Sequence, residues 1–446
     1  MRLSRAIQHP TRIVPLAFLL AIAVGTFLLS LPVARAGWGT GGAPIMTALF
    51  TATSAVCVTG LVVVDTGTYW SPFGQIVILF LFQIGGLGIM TAATLLGLIV
   101  SNRLSLGRRL LAQAETRTMA LGDVGAALRL ILILAVTVQL ITATFLFLRL
   151  HFGYGEPLGL ALWNGFFHAA SAFNNAGFIR YAGGATVFAH DALILMPMMA
   201  AILLGTIGFP VLYELKREAL TPRTWSLHTK LTLTGAAGIM IVGVLMTLLF
   251  EWNNDRTIGE MNVGEKLLNA LFHTVNRTSG FNSVDVRAMR PETLLVTDAM
   301  MLIGGGSGGT AGGIKITTFM VISLIVWTEL LGERDTHAFR RRIPTETARV
   351  ALSIVLLSIL LIALGTLTLL SLTQLDLGPV LFEVVSAAAT VGLSTGITPS
   401  LPEAGQMVLV VLMYLGRIGA ITAAAAIVLR SRPRPYRYPE ERPIIG

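Results

Sequence analysis

Four times along the chain a serine or threonine is followed six residues later by glycine and then by leucine or phenylalanine: Ser54–Gly60–Leu61, Ser171–Gly177–Phe178, Thr274–Gly280–Phe281 and Ser386–Gly392–Leu393. Each copy lies between two long apolar stretches. Polar backbone at membrane depth is tolerated only where it is buried in protein or lines a watery path. Backbone carbonyls are also the groups with which a protein replaces the hydration shell of an alkali cation. The candidate carbonyls belong to Val58, Thr59 and Gly60; Asn175, Ala176 and Gly177; Thr278, Ser279 and Gly280; and Thr390, Val391 and Gly392. The four strings share little besides glycine, so main-chain oxygens, not side chains, are the expected common ligands. No ring of Asp or Glu stands at these positions, which argues against a dedicated divalent-cation pore. One such match is nearly worthless; four at the same place in a repeated hydropathy pattern are a strong signal.

The rest of the chain reads as the frame that positions these loops. Hydrophobic residues make up 54% and charged residues 12% of the 446 residues, and the mean hydropathy is +0.76, which excludes a soluble protein. The 46 glycines have no three-residue period; they suit tight helix contacts and irregular membrane loops. The single cysteine, Cys57, makes no internal disulfide and no metal cluster. Apolar runs of about 20 residues read as membrane spans. They lie at 13–33, 74–100, 127–149, 189–213, 230–250, 294–328 (interrupted), 350–373 and 405–429. Between the members of each successive pair is a segment too short to cross, at 43–54, 159–171, 264–275 and 378–389, which predicts a re-entrant half-helix.

The expected fold is therefore an all-α polytopic membrane protein of four tandem helix–half-helix–helix units. The units cover 1–124, 125–226, 227–344 and 345–430, followed by a cytoplasmic tail at 431–446. The turn glycines are 117, 103 and 112 residues apart. Each unit contributes two spans, so all four share one orientation. That predicts pseudo-fourfold symmetry around one central pore, not inverted repeats. Half-helices would aim their partly negative C-terminal ends at the pore centre, and glycine would let the chain turn there at positive φ. The third copy departs from the pattern. Phenylalanine stands ten residues ahead of glycine at Phe50, Phe167 and Phe382 but eight ahead at Phe272, so its half-helix is expected in a different phase.

The net charge of +9 marks topology and not nucleic-acid binding. Basic residues crowd one side of the spans: Arg2 to Arg12, Arg103 to Arg129, Lys216 to Lys230, Arg334 to Arg349 and Arg430 to Arg442. By the positive-inside rule that side is cytoplasmic, holds both termini and leaves the half-helices on the outer side. The same loops suit docking of a cytosolic partner. Ala34-Arg35-Ala36 resembles a signal-cleavage site, but the run 13–33 is longer than a signal core and is read as a retained span.

The sixth span is interrupted by Gly304, Gly305, Gly306, Ser307, Gly308, Gly309, Thr310, Ala311, Gly312, Gly313 and Ile314, ending at Lys315. Each glycine costs a helix about 1 kcal/mol relative to alanine, so the segment should unwind. Close helix packing would need spaced small residues and not a continuous run. An unwound plug in the path, below the third filter loop, is the expectation. The tract does not meet the phosphate-loop pattern, because Ile314 separates Gly313 from Lys315 and no strand precedes it; a membrane enzyme or phosphate-loop protein using the tract is the rival of another class. Arg417, midway along the last span, is costly at that depth. It is expected to face the pore as an electrostatic barrier and to bond the glycine loop's carbonyls, the alternative being a pair with buried Glu383. His168 and His273, just ahead of filter loops, are expected to cap or pair with half-helices. Arg277 is expected to brace its loop instead of meeting a cation. Nothing groups into a catalytic set or a zinc site, so the chain is read as no enzyme.

The strings Ser171-AFNNAGF, Asn276-RTSGFN and Ala389-TVGLSTG resemble the Trk/Ktr/HKT superfamily of potassium transporters over nearly the whole chain. With its first span beginning near residue 13, the chain is most similar to the bacterial Ktr membrane subunit. The resemblance implies a K⁺ filter with one glycine per repeat, less stringent than a TVGYG-type filter, and makes 304–313 the intramembrane gating loop. It also implies a multi-pass protein of the bacterial cell membrane, working as a homodimer on a cytosolic ring of nucleotide-binding regulatory subunits (KtrA-like). Further implications are Na⁺-stimulated transport and no nucleotide bound by this chain. The rival reading is a Trk-type proton- or Na⁺-coupled secondary transporter. Proton coupling wants titratable carboxylates inside the membrane, and the sequence shows no chain of them.

Overall fold

The computed structural model describes residues 10–37, 41–102, 124–333 and 335–429. The tail at 431–446 and the arginine-rich segment 103–117 lie outside them. Fifteen α-helices are described. The first unit holds α1 (Pro10–Ser30), α2 (Ile45–Val56), the single turn α3 (Thr66–Tyr69) and α4 (Pro72–Asn102). The second holds α5 (Val124–Tyr154), α6 (Leu158–Asn174), α7 (Ala192–Ile207) and α8 (Phe209–Glu218). The third holds α9 (Leu227–Glu251), α10 (Val263–Asn276), α11 (Pro291–Leu302) and α12 (Ile316–Leu330). The fourth holds α13 (Thr345–Leu372), α14 (Leu377–Ala388) and α15 (Glu403–Leu429).

The four half-helices α2, α6, α10 and α14 match the expected segments to within a few residues. Their starts are set locally. Pro44 and Pro157 precede α2 and α6, because proline cannot donate within a helix but suits its beginning. Asn262 and Glu265 form a reciprocal capping box on α10, satisfying two of the amide donors left free at a helix start. The half-helices are buried along their C-terminal halves: Phe50, Phe167, Phe272 and Phe382 are all fully enclosed. The strongly apolar α13, by contrast, is mostly exposed.

The connections between units are cyclic. The helix after each filter loop packs on the half-helix of the following unit: α4 on α6, α7 on α10, α11 on α14 and α15 back on α2.

Three features differ from the sequence reading. The expected span 189–213 is two helices bent by 100° at Gly208. Gly208 has φ +98°, a conformation open to glycine, and Pro210 two residues on has no amide to continue the preceding helix. Four described helices are long and apolar enough to cross a membrane alone, with α7 and α8 as a broken span. The fold is also not wholly α. β1 (His337–Ala338) and β2 (Arg341–Arg342) form a small antiparallel hairpin, turned by Phe339 and Arg340 at φ +49° and +63°. Two left-handed central residues match the twist of a hairpin.

Candidate ion pathway

The spacing of the serine–glycine motif has a hydrogen-bond origin. In α2 the carbonyl of Ser54 accepts the amide of Thr59 at 2.8 Å, while its hydroxyl accepts the amide of Gly60 at 3.0 Å. Ser386 does the same in α14, with Val391 at 2.9 Å and Gly392 at 3.0 Å. Ser171 uses its carbonyl alone, for Ala176 at 2.8 Å. Each of these ends passes through one left-handed residue, Val58 at φ +56°, Asn175 at +58° and Thr390 at +50°. This is the left-handed cap of a helix C-terminus. Glycine usually takes that position, and a β-branched residue is strained there; here the glycine comes two residues later.

The third loop is wired otherwise. Thr274 bonds back to Ala270 within its helix, and the amides of Ser279 and Gly280 both go to the carbonyl of Asn276. The phase difference marked by Phe272 is thus real.

All four motif glycines have positive φ: +91°, +71°, +75° and +96° at Gly60, Gly177, Gly280 and Gly392. Each also meets the carbonyl of the next loop. A Cβ added to Gly60 would stand 2.5 Å from the oxygen of Ala176, and one on Gly280 2.5 Å from that of Val391. A Cβ on Gly177 would overlap the oxygen of Ser279, and one on Gly392 the oxygen of Thr59. The contacts run from the first loop to the second, third and fourth and return to the first. The structure thus brings the four glycines and the carbonyls before them into one ring.

Residues 304–315 are unwound, and the ends of this loop lie side by side: Gly304 donates to Ile314 at 2.8 Å and Ile316 to Gly305 at 3.0 Å. The loop is pinned on the break between α7 and α8. Gly306 donates to Thr206 at 2.9 Å, Thr310 to Gly205 at 3.0 Å and Phe209 to Gly308 at 3.3 Å. Gly312 sits against Ala389 and Thr390 of the fourth loop. The loop also touches the second glycine loop, through Thr310 and Asn175, and the third, through Gly304 and Arg277.

Basic residues divide their work differently from expectation. Arg417 is buried, and its three guanidinium nitrogens have no hydrogen-bond partner among the described residues. It lines a small cavity with Ile89, Gly312, Gly313 and Lys315, but it does not bond the loop's carbonyls, nor does it pair with Glu383. Arg277 does bond them: its guanidinium donates to the carbonyls of Met300, Ile303 and Gly304. Its brace is thus on the start of the unwound loop. Lys315 donates to Ala311 at 2.7 Å, tightening the loop's end. Glu383 accepts from Ser394, Thr398 and Thr395 at 2.5, 2.8 and 3.3 Å, which fixes the segment after the fourth filter loop. His168 accepts the amide of Arg180 at 3.0 Å and His273 meets Thr297 at 3.0 Å; both tether a half-helix to the chain beyond its loop, and neither caps it.

Two features escaped the sequence reading. Gly85, Gly205 and Gly416 press on the carbonyls of Val56, Phe173 and Ala388 at the half-helix ends, so the following span closes on each filter loop. Each stands about 25 residues after its filter glycine, a spacing that could have revealed it. Asp298 in α11 is buried with Oδ1 unpartnered among the described residues. With Glu383 on the adjoining α14, it makes a second carboxylate at membrane depth.

The architecture defines a membrane protein whose four glycine loops converge. TrkH, described as a cation transport protein family, matches residues 40–433, and the chain belongs to that family. It is 37% identical to Ktr system potassium uptake protein B of Bacillus subtilis (strain 168) over 98% of this chain and 97% of that one. It is 35% identical to the protein of the same name from Vibrio alginolyticus, over 98% and 94%. It is 33% identical to the potassium/sodium uptake protein NtpJ of Enterococcus hirae, over 98% and 97%. The crystal structure of the potassium transporter TrkH from Vibrio parahaemolyticus superposes with a TM-score of 0.72 at 17% identity, covering 94% of this chain and 84% of that one.

Proposed function

We propose that this chain is the ion-conducting membrane subunit of a bacterial K⁺ uptake system of the Ktr type. The observation that carries the reading is the closed circuit of filter glycines against neighbouring carbonyls. It supports one central pore of pseudo-fourfold symmetry, built from the four units, with main-chain oxygens of 58–60, 175–177, 278–280 and 390–392 as the ligands. Carbonyl oxygens supplied by four loops suit a weakly hydrated monovalent cation. K⁺ moves inward down its electrochemical gradient, each charge gaining about 2.3 kcal/mol per 100 mV. The glycine loop 304–313, fastened by Lys315 and Arg277, closes the path below the filter, and Arg417 adds a positive barrier beside it. The relatives' names support potassium as cargo and a multi-component Ktr system. A homodimer, a cytosolic regulatory ring and cytoplasmic termini in the bacterial cell membrane complete the reading, and the name of NtpJ supports a role for Na⁺.

The test is uptake into proteoliposomes with K⁺, Rb⁺, Na⁺ and Li⁺ supplied singly under an inside-negative potential. Selective K⁺ and Rb⁺ uptake supports the proposal; equal uptake of all four would end it. The buried pair Asp298 and Glu383 favours a second reading, proton-coupled transport, because it supplies titratable groups at membrane depth. Flux that varies with pH at fixed voltage, and loses that dependence in Asp298→Asn, would select it.

A further inference from the structure

We infer that the ion selectivity of the second filter loop is set by the gating loop, through the side chains of Asn175 and Thr310. The inference rests on the filter reading above and concerns side chains that reading does not use.

Asn175 is the left-handed residue two places before Gly177. Its amide nitrogen donates to the hydroxyl of Thr310, in the gating loop, at 2.5 Å. A hydroxyl has one proton to give, and Thr310 directs its own to the carbonyl of Phe173 at 3.3 Å. On its other side the Asn175 carboxamide oxygen accepts from Thr278, two places before Gly280, at 3.2 Å. Thr206, at the break of α7, lies 3.1 Å from the same oxygen and gives its proton to Ile202 at 2.7 Å. Asn175 and Thr310 are wholly enclosed, and Thr206 and Thr278 nearly so. One carboxamide thus joins two filter loops, the gating loop and the broken span.

The first and fourth filter loops have no such prop. Val58 is apolar at the matching position, and the hydroxyl of Thr390 has no hydrogen-bond partner among the described residues. A buried donor deprived of its acceptor is costly. When the gating loop withdraws, Asn175 must therefore find a new partner, and its left-handed turn loses a support. The carbonyl of Ala176, which fits against Gly60, moves with it. Asn175 and Thr310 are positioning residues: they act on the ion through the carbonyls they hold. The filter with the gate closed and the filter with the gate open are then different filters, and discrimination depends on the loop beneath.

The experiment compares separate K⁺ and Na⁺ uptake into proteoliposomes for Thr310→Val, Thr310→Ser, Thr278→Val and Gly177→Ser, using protein that elutes and melts as the parent does. Loss of one buried hydrogen bond predicts that Thr310→Val lowers the K⁺/Na⁺ ratio by about three- to tenfold. Thr310→Ser, which keeps the hydroxyl, should hold the ratio, and Thr278→Val, acting from the filter side, should lower it as well. Equal scaling of both fluxes in Thr310→Val would overturn the inference, and so would an equal drop in Thr310→Ser, because that would assign the effect to packing. A Gly177→Ser protein with unaltered selectivity would remove the second loop from the filter reading on which the inference rests.

Discussion

Gly392 stands against the carbonyl oxygen of Thr59, from the other end of the chain, so closely that no side chain fits between them. This contact closes the circuit: the fourth loop meets the first as each earlier loop meets its successor. Two constraints coincide at each filter glycine, a positive φ and a carbonyl in the place of a Cβ. A left-handed backbone alone costs an ordinary residue about 1–2 kcal/mol, and the overlap adds to it. Replacing Gly60, Gly177, Gly280 or Gly392 by serine is therefore expected to abolish uptake or relax discrimination among K⁺, Rb⁺, Na⁺ and Li⁺. Four replacements that all kept selectivity intact in proteoliposomes would disprove the filter assignment.

The two serines that cap their own glycines give a finer test. Ser54→Ala and Ser386→Ala each leave a buried glycine amide without its acceptor, a loss of about 1–3 kcal/mol. Both should lower the melting temperature in detergent and reduce K⁺ uptake. Ser171→Ala should be close to neutral, because the Ser171 hydroxyl has no partner among the described residues. Equal effects at all three positions would show that the hydroxyl bonds do not hold the loops.

Arg417 and Arg277 are both buried arginines, yet opposite outcomes are expected for them. Arg417 makes no hydrogen bond among the described residues, so Arg417→Ala removes a charge and little else. Thermal stability should be kept or raised, while K⁺ flux rises or its dependence on the regulatory subunit weakens. Unchanged flux and gating would remove Arg417 from the mechanism. Arg277→Ala deprives the carbonyls of Met300, Ile303 and Gly304 of their donor. A loss of about 2–3 kcal/mol is expected for bonds to a charged group, read as a lower melting temperature. Lysine should not restore it, since a point ammonium does not reproduce the guanidinium fork.

At the start of α10, the backbone amide of Asn262 and the His190 ring hold the Glu265 carboxyl below the usual carboxylate range. A group with a depressed value in the folded state stabilises the fold above its unfolded value. That stabilisation disappears as the pH falls through the folded one. The melting temperature of the parent should therefore drop on acidification below about pH 4. The difference between the parent and Glu265→Gln should shrink over the same window. A pH-independent difference would show that Glu265 contributes only as a capping side chain.

The half-helices, the positive-φ glycines that follow them and the unwound glycine tract were legible in the sequence because each depends on local physics. A segment too short to cross must re-enter, a left-handed turn selects glycine, and clustered glycines cannot hold a helix. The serine six residues before the glycine was visible as a pattern. Its reason, one residue accepting two successive amides, needed the folded turn. The bend at Gly208 was lost inside an apolar run, since hydropathy does not register backbone direction.

What the tertiary structure alone decided is which distant groups meet. Nothing local tells that Thr310 completes the hydrogen bonds of Asn175, that Arg277 and not Arg417 grips the gating loop, or that Asp298 lies in the core beside the helix bearing Glu383. Periodicity and turn chemistry act over a few residues, so they are written in the order of the chain. Partners outside that reach, such as Asn175 and Thr310 at 135 residues apart, follow from how the four units close on one another, and that closure is a property of packing.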